Sequence, residues 1–240
     1  MKKAVLSTLA IGVAAIALYF AIPEEPVAVP RSVEKALTRS AERLFGEGSL
    51  GGGSFSAQEN LVIGAATGAL EGIESAISDG ADVNTPLEHD EFRRTPLMWA
   101  AAHSHTLENS GVGIAGALIE SGADVNAQSA TGSTALGWAA SNGSVELVRL
   151  LVEAGGDVNL AQDRGVTPLM IAARLGHLDV VTYLLSVGAD PSLEAVDGTT
   201  ALIEAEQADR SDVIEVLQTA LDGNEDDTTD KTEQKGDIPL

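Results

Sequence analysis

The chain has 240 residues, no cysteine and a formal net charge of −22. The missing thiols exclude disulfides, thiolate metal sites and cysteine nucleophiles together. A surface this acidic repels phosphate backbones, so nucleic acid is an unsuitable partner and a basic protein a suitable one.

Lys2 and Lys3 precede Ala4 to Ile22, nineteen residues without a charge. As a helix rising ~1.5 Å per residue this run spans roughly 28 Å, close to the ~30 Å hydrocarbon core. Residues 1–22 read either as an uncleaved signal-anchor or as a signal peptide removed on export. The triplet Ala15-Ile16-Ala17 lies inside the apolar run and Pro23-Glu24-Glu25-Pro26 offers no clear cleavage site, which favours the anchor. The paired lysines then stay in the cytosol and the rest of the chain faces the periplasm or the exterior. Arg31, Lys35, Arg39 and Arg43 pull against that orientation.

Within residues 23–58 an amphipathic helix is expected at 31–45, capped by Ser32, with Val33, Leu37, Ala41, Leu44 and Phe45 on one side. Gly46 to Ser54 holds five glycines and reads as a flexible linker. At the other end, residues 223–240 carry six acids, two lysines and little that is apolar, the composition of a disordered tail.

Between them, residues 59–222 repeat. Thr95-Pro96-Leu97, Thr134-Ala135-Leu136, Thr167-Pro168-Leu169 and Thr200-Ala201-Leu202 recur, and Thr134, Thr167 and Thr200 stand 33 residues apart. A second signature keeps the same step: Asp124, Asp157 and Asp190, within Ala-Asp-Val-Asn or a close relative of it, with a further copy at Ala81 to Asn84. A fixed period of this size marks a solenoid, whose units bury their apolar faces only against one another.

In the clearest copy Thr167 caps a short helix and Pro168 occupies its first position, where a missing N–H costs nothing. Gly176 ends that helix. A second follows at Leu178 to Leu185, with Val181, Leu184 and Leu185 turned to the core, and Gly188 closes it. An extended loop then runs to Asp197-Gly198. The recurring aspartates read as turn formers that accept from nearby N–H groups. Glu59-Asn60-Leu61 falls in the Thr-Pro-Leu slot of a degenerate first repeat. In the last unit Asp209 replaces the turn glycine and Leu221 the cap glycine, giving five repeats with atypical outer ones.

This unit resembles the ankyrin repeat, with its two helices, its turn and its Thr-Pro-Leu-His-x-Ala signature. The matching runs are Thr95 to Ala101, Thr134 to Ala140 and Thr167 to Ala173, with Met98, Gly137, Met170 and Ile203 where the family has histidine. The resemblance, to bacterial members that are anchored or exported, implies an all-α ankyrin-repeat solenoid of helix-turn-helix units with hairpin-like loops, preceded by an N-terminal hydrophobic helix. It also implies a protein-binding scaffold, no enzyme and no cofactor, and a monomer. Partners of such proteins dock on a concave face of hairpin tips and first-helix ends. On this chain those positions are Glu91, Phe92, Arg94, Ala102 and His103, then Ala130, Thr131, Ser133, Ser141 and Asn142, then Asp163, Arg164, Val166, Arg174 and Leu175.

Repeat two breaks the register by three residues between Thr85 and Arg94 and by six between His103 and Gly113. Insertions in solenoids fall on loops, often on the binding side. Phe92 is a large apolar residue in one of them, the kind of anchor that dominates interfaces, as arginines such as Arg164 and Arg174 do. His103 and His105 could offer imidazoles to a metal, with His89 or the Glu108 carboxylate as a further ligand, but a closed site needs three or four ligands in fixed geometry, so none is expected. Trp99 and Trp138 share one repeat position and are expected to pack between repeats. No phosphate loop, nucleophile elbow or metal-binding His-Glu pattern is present. An adaptor outside the cytosol is the first reading. A stoichiometric inhibitor or immunity-type protein that blocks an enzyme or toxin is the alternative.

Overall fold

The computed structural model describes residues 56–88, 90–104 and 110–229, with side chains to 222 except that of Ser110. The apolar segment 1–22, the amphipathic helix, the glycine-rich linker, His89, His105, Glu108 and the tail beyond Thr229 lie outside these residues. The described residues form α-helices joined by loops and one 3-10 turn, without strands.

Five helix pairs follow in chain order: α1 (Ala57–Thr67) with α2 (Leu70–Ser78), α3 (Pro96–Ala102) with α4 (Ser110–Glu120), and α5 (Ala135–Asn142) with α6 (Val145–Glu153). Then come α7 (Pro168–Leu175) with α8 (Leu178–Ser186), and α9 (Ala201–Gln207) with α10 (Ser211–Thr229). First helices pack on first helices and second on second, so the array is two adjoining columns.

The short first helices lie between the preceding helix, the following helix and their own partner. All seven residues of α3 are buried, as are Pro168 to Ala173 of α7. That crowding is why their bodies are mostly alanine: Ala100, Ala101, Ala139, Ala140, Ala172 and Ala173 are buried with at most 1 % of their surface exposed. Leucines fill the space between the columns at equivalent places, Leu118, Leu151 and Leu184, all fully buried. Truncating such a residue to alanine costs about 2–5 kcal/mol.

Each first helix from α3 onward starts on a threonine whose hydroxyl accepts from the N–H three residues on: Thr95 from Met98, Thr134 from Gly137, Thr167 from Met170 and Thr200 from Ile203. Such a cap supplies about 1 kcal/mol. Gly143 and Gly176 end α5 and α7 in the left-handed region. Asp209 takes the same conformation (φ 53°) where it replaces the turn glycine.

Three local expectations are corrected. α1 starts at Ala57, so Glu59 is not its cap; Ser56 is, and the Glu59 carboxylate reaches back to the Ser56 N–H in a capping box. The linker therefore gives way to helix before residue 59. At the far end α10 continues to Thr229, past Leu221, which stands where the cap glycine of the other repeats would be. In α8 the inward residues are Val180, Val181 and Leu184, with Leu185 only half-buried.

Candidate partner-binding face

One side of the array is built from loops, and two hydrogen-bonded ladders hold them in register. In the first, each Asp of the Ala-Asp-Val-Asn signature accepts from the N–H two residues on: Asp82 from Asn84, Asp124 from Asn126, Asp157 from Asn159 and Asp190 from Ser192. The asparagine then spans to the next repeat. Asn126 donates to the Gly155 carbonyl (3.0 Å) and accepts from the Asp157 N–H (2.8 Å). Asn84 and Asn159 do the same with Gly122 and Asp124, and with Gly188 and Asp190.

The ladder has built ends. Gln58 of α1 supplies both halves of the bridge to Asp82, donating to its carbonyl and accepting from its N–H. At the other end Ser192 turns its hydroxyl back onto Asp190.

The second ladder runs through the hairpin tips. The Ala130 N–H donates to the Phe92 carbonyl, Asp163 to Thr131, and Val196 to Arg164. Further bridges tie the first-helix ends. Asn142 donates to the carbonyls of Ala101 and Ala102, His177 Nε2 to Ser141, and Arg210 Nε to Arg174. These satisfy carbonyls that a helix end leaves open. They also show what His177 is for: a bridge between repeats.

The tips of repeats three to five turn through Gly132, Gly165 and Gly198, each at positive φ. Repeat two places Arg93 there (φ 51°). Its loop is organised instead by Asp90, whose carboxylate accepts from the N–H groups of Phe92 and Arg94 and from both Nε and Nη2 of Arg94. Both side chains of that pair are almost wholly buried, at 4 % and 6 %. The Arg94 guanidinium stacks on Trp99 (3.8 Å) and lies 5.3 Å from the Phe92 ring. His103 stacks on Trp99 and its Nδ1 meets the Trp99 carbonyl at 3.0 Å.

This corrects two expected contact residues, for Ala102 at the end of α3 is fully buried as well. Arg94 is sealed beneath Phe92, so no partner reaches it, whereas Val166 and Thr199 in the same place before their threonines are half-buried. Ser133 and Asn142 are half-buried and spend their polar atoms on Gln162 and on α3. Glu91, Phe92, Thr131, Asp163, Arg164 and Arg174 are exposed, while His103, Ser141 and Leu175 are half-buried. Phe92 keeps 38 % of its surface in water.

Trp99 is buried and Trp138 half-buried. Val196, 80 % exposed, escaped sequence reading. It holds the same place before its threonine as Glu91, Ala130 and Asp163, and aligning the loops would have found it. Among the described residues no cluster of His, Asp and Glu is arranged to hold a metal, and no helix is long and apolar enough to cross a membrane.

Helix pairs stacked in register, threonine-capped first helices and an Asp/Asn loop ladder define a repeat scaffold. The family model described as ankyrin repeats (3 copies) matches residues 61–161 and 107–195, more than half of the chain. The protein therefore belongs to the ankyrin-repeat family, whose members are generally protein–protein interaction modules and typically not catalysts. No curated protein matches the chain.

Proposed function

We propose that the array is an adaptor that grips a partner protein across the exposed tips of repeats two to five. The carrying observation is Phe92, an exposed ring held in place from below by the buried Arg94–Asp90 pair. A ring fixed in advance loses little freedom on binding, which is what makes a strong anchor. Arg164 and Val196, joined through the tip ladder, extend the surface, and Arg174 adds a charge at the end of α7. Segment 59–222 carries 25 acids against six arginines and no lysine, a field that attracts a basic partner.

The lysine-flanked apolar run 4–22 supports tethering to a membrane, with the repeats on the non-cytoplasmic side. The excess of acid also favours a second reading, a stoichiometric inhibitor of a basic enzyme or toxin. Crosslinking and capture from envelope extract tests the surface. Phe92→Ala with Arg164→Glu should lose the partner while melting at the wild-type temperature, and undiminished capture would refute the proposal. A resident envelope protein among the captured species supports the adaptor, and a secreted hydrolase the inhibitor. Intact mass of the mature chain with protease accessibility reports anchor and side.

A further inference from the structure

Helix α4 (Ser110–Glu120) departs from its counterparts in a way the binding reading does not use. Leu118, Leu151 and Leu184 set the register of α4, α6 and α8, so residues can be compared position by position. Where α6 has Val148 and α8 has Val181, both buried, α4 has Ala115. Where they have Leu150 and Tyr183, it has Ala117. At the outward positions of Glu146 and Arg149, and of Asp179 and Thr182, it has Gly113 and Gly116.

Neither of those glycines serves packing. A Cβ added at Gly113 or Gly116 would meet nothing within 4 Å. Neither adopts positive φ. Gly111 is different, since a Cβ there would come within 2.6 Å of the Ser104 backbone. Two helix-interior glycines therefore carry their full propensity cost with no steric return. At Ala115 and Ala117 the same helix has small side chains where α6 and α8 have larger ones, and packing is what holds short helices in place. α6 and α8 contain no glycine at all.

We infer that α4 opens locally in the native protein, unwinding away from the columns while α3 and the other helix pairs stay folded. α3 remains because it is held independently, by the Arg94–Trp99 stack and by the bridge from Asn142 to its last carbonyls. Opening uncovers Ile114 and Leu118, buried in the closed state, so repeat two combines a fixed hairpin with a labile second helix. Opening of this kind is read directly by amide exchange, which separates local from global unfolding.

Hydrogen exchange with mass spectrometry on the full chain tests this. Peptides from α4 should exchange at least tenfold faster than those from α6 and α8 under native conditions. Gly113→Ala with Gly116→Ala should then raise protection of α4 by about thirty-fold, from about 1 kcal/mol per site, and leave α6 and α8 far less changed. Equal protection of α4, α6 and α8 in the wild type would overturn the inference. So would a double variant that slows exchange equally in all helices, since that is the mark of global opening.

Discussion

In repeats three and four the hairpins turn through glycines, and main-chain groups close their necks, the Ser129 N–H on Ser133 and the Gln162 N–H on Val166. In repeat two the turn runs through Arg93, and the Asp90 carboxylate organises the loop. The difference decides which side chains remain for recognition. Where main-chain pairs close the loop, as around Arg164, side chains stay at the surface; around Thr131 the Ser129 hydroxyl also accepts from the Thr131 and Ser133 N–H groups, and Thr131 still faces water. Where a carboxylate shapes it, in repeat two, the Arg94 cation is buried and the ring above it is left to a partner beside the exposed Glu91 and Arg93.

The largest effect that tests this contrast is at the buried pair. Asp90→Ala leaves the Arg94 guanidinium without its carboxylate in a site 4 % exposed, a loss of about 3–5 kcal/mol read from the urea midpoint. The exposed pair of Arg164 and Asp197, 3.8 Å apart, is the control, and Arg164→Ala should move the midpoint little. Similar losses from the two variants would end the distinction between a side-chain-built and a backbone-built loop.

Next in size is the ladder common to both regions. Asn126→Ala removes a donor to Gly155 and an acceptor from Asp157, so a loss of about 1–2 kcal/mol is expected in equilibrium unfolding. Ser192→Ala, at the ladder's end with only a local bond to Asp190, should lose less. If the two cost the same, bridging between repeats is not what the asparagine contributes.

A gain is expected where repeat two breaks the glycine rule. Left-handed backbone costs an ordinary residue roughly 1–2 kcal/mol, so Arg93→Gly should raise the melting temperature by a few degrees, less what glycine's freedom when unfolded takes back. The reverse change, Gly132→Ala, places a Cβ 2.5 Å from the Asp163 nitrogen and should lower it. A destabilised Arg93→Gly would mean the arginine side chain holds the tip.

The smallest effect is in acid. The Asn84 N–H, then the Thr85 hydroxyl, hold Asp82 below the ordinary aspartate value. The Ser192 hydroxyl and N–H hold Asp190 down, and those of Thr199 hold Asp197 down. Each folded pKa is depressed, so this support is complete above the usual aspartate range, about pH 4, and is lost as pH falls through the folded value. Carboxyl NMR titration should show these three protonating later than freely solvated aspartates as acid is added. Coincident titration would show that the turn bonds do not favour the charged form.

The repeat, its caps and its five-unit count were readable because each rests on local chemistry recurring at 33 residues. The capping threonines act on N–H groups three positions away, and the signature aspartates two positions away, so spacing alone identifies them. Phe92 was legible as an apolar residue in a polar loop. Arg94 was misjudged because its neighbours in the chain do not disclose that Asp90 and Trp99 would enclose it. Gln58 went unnoticed since its partner is 24 residues ahead.

The amino-acid order, by itself, determined the ankyrin-type helix pairs and the places where loops leave them, because propensity, capping and period are short-range and repeated. Only the stacked structure decided which loop side chains face water. Burial depends on what the neighbouring repeat brings alongside, and in repeat two that neighbourhood is altered by insertions whose packing no local rule specifies.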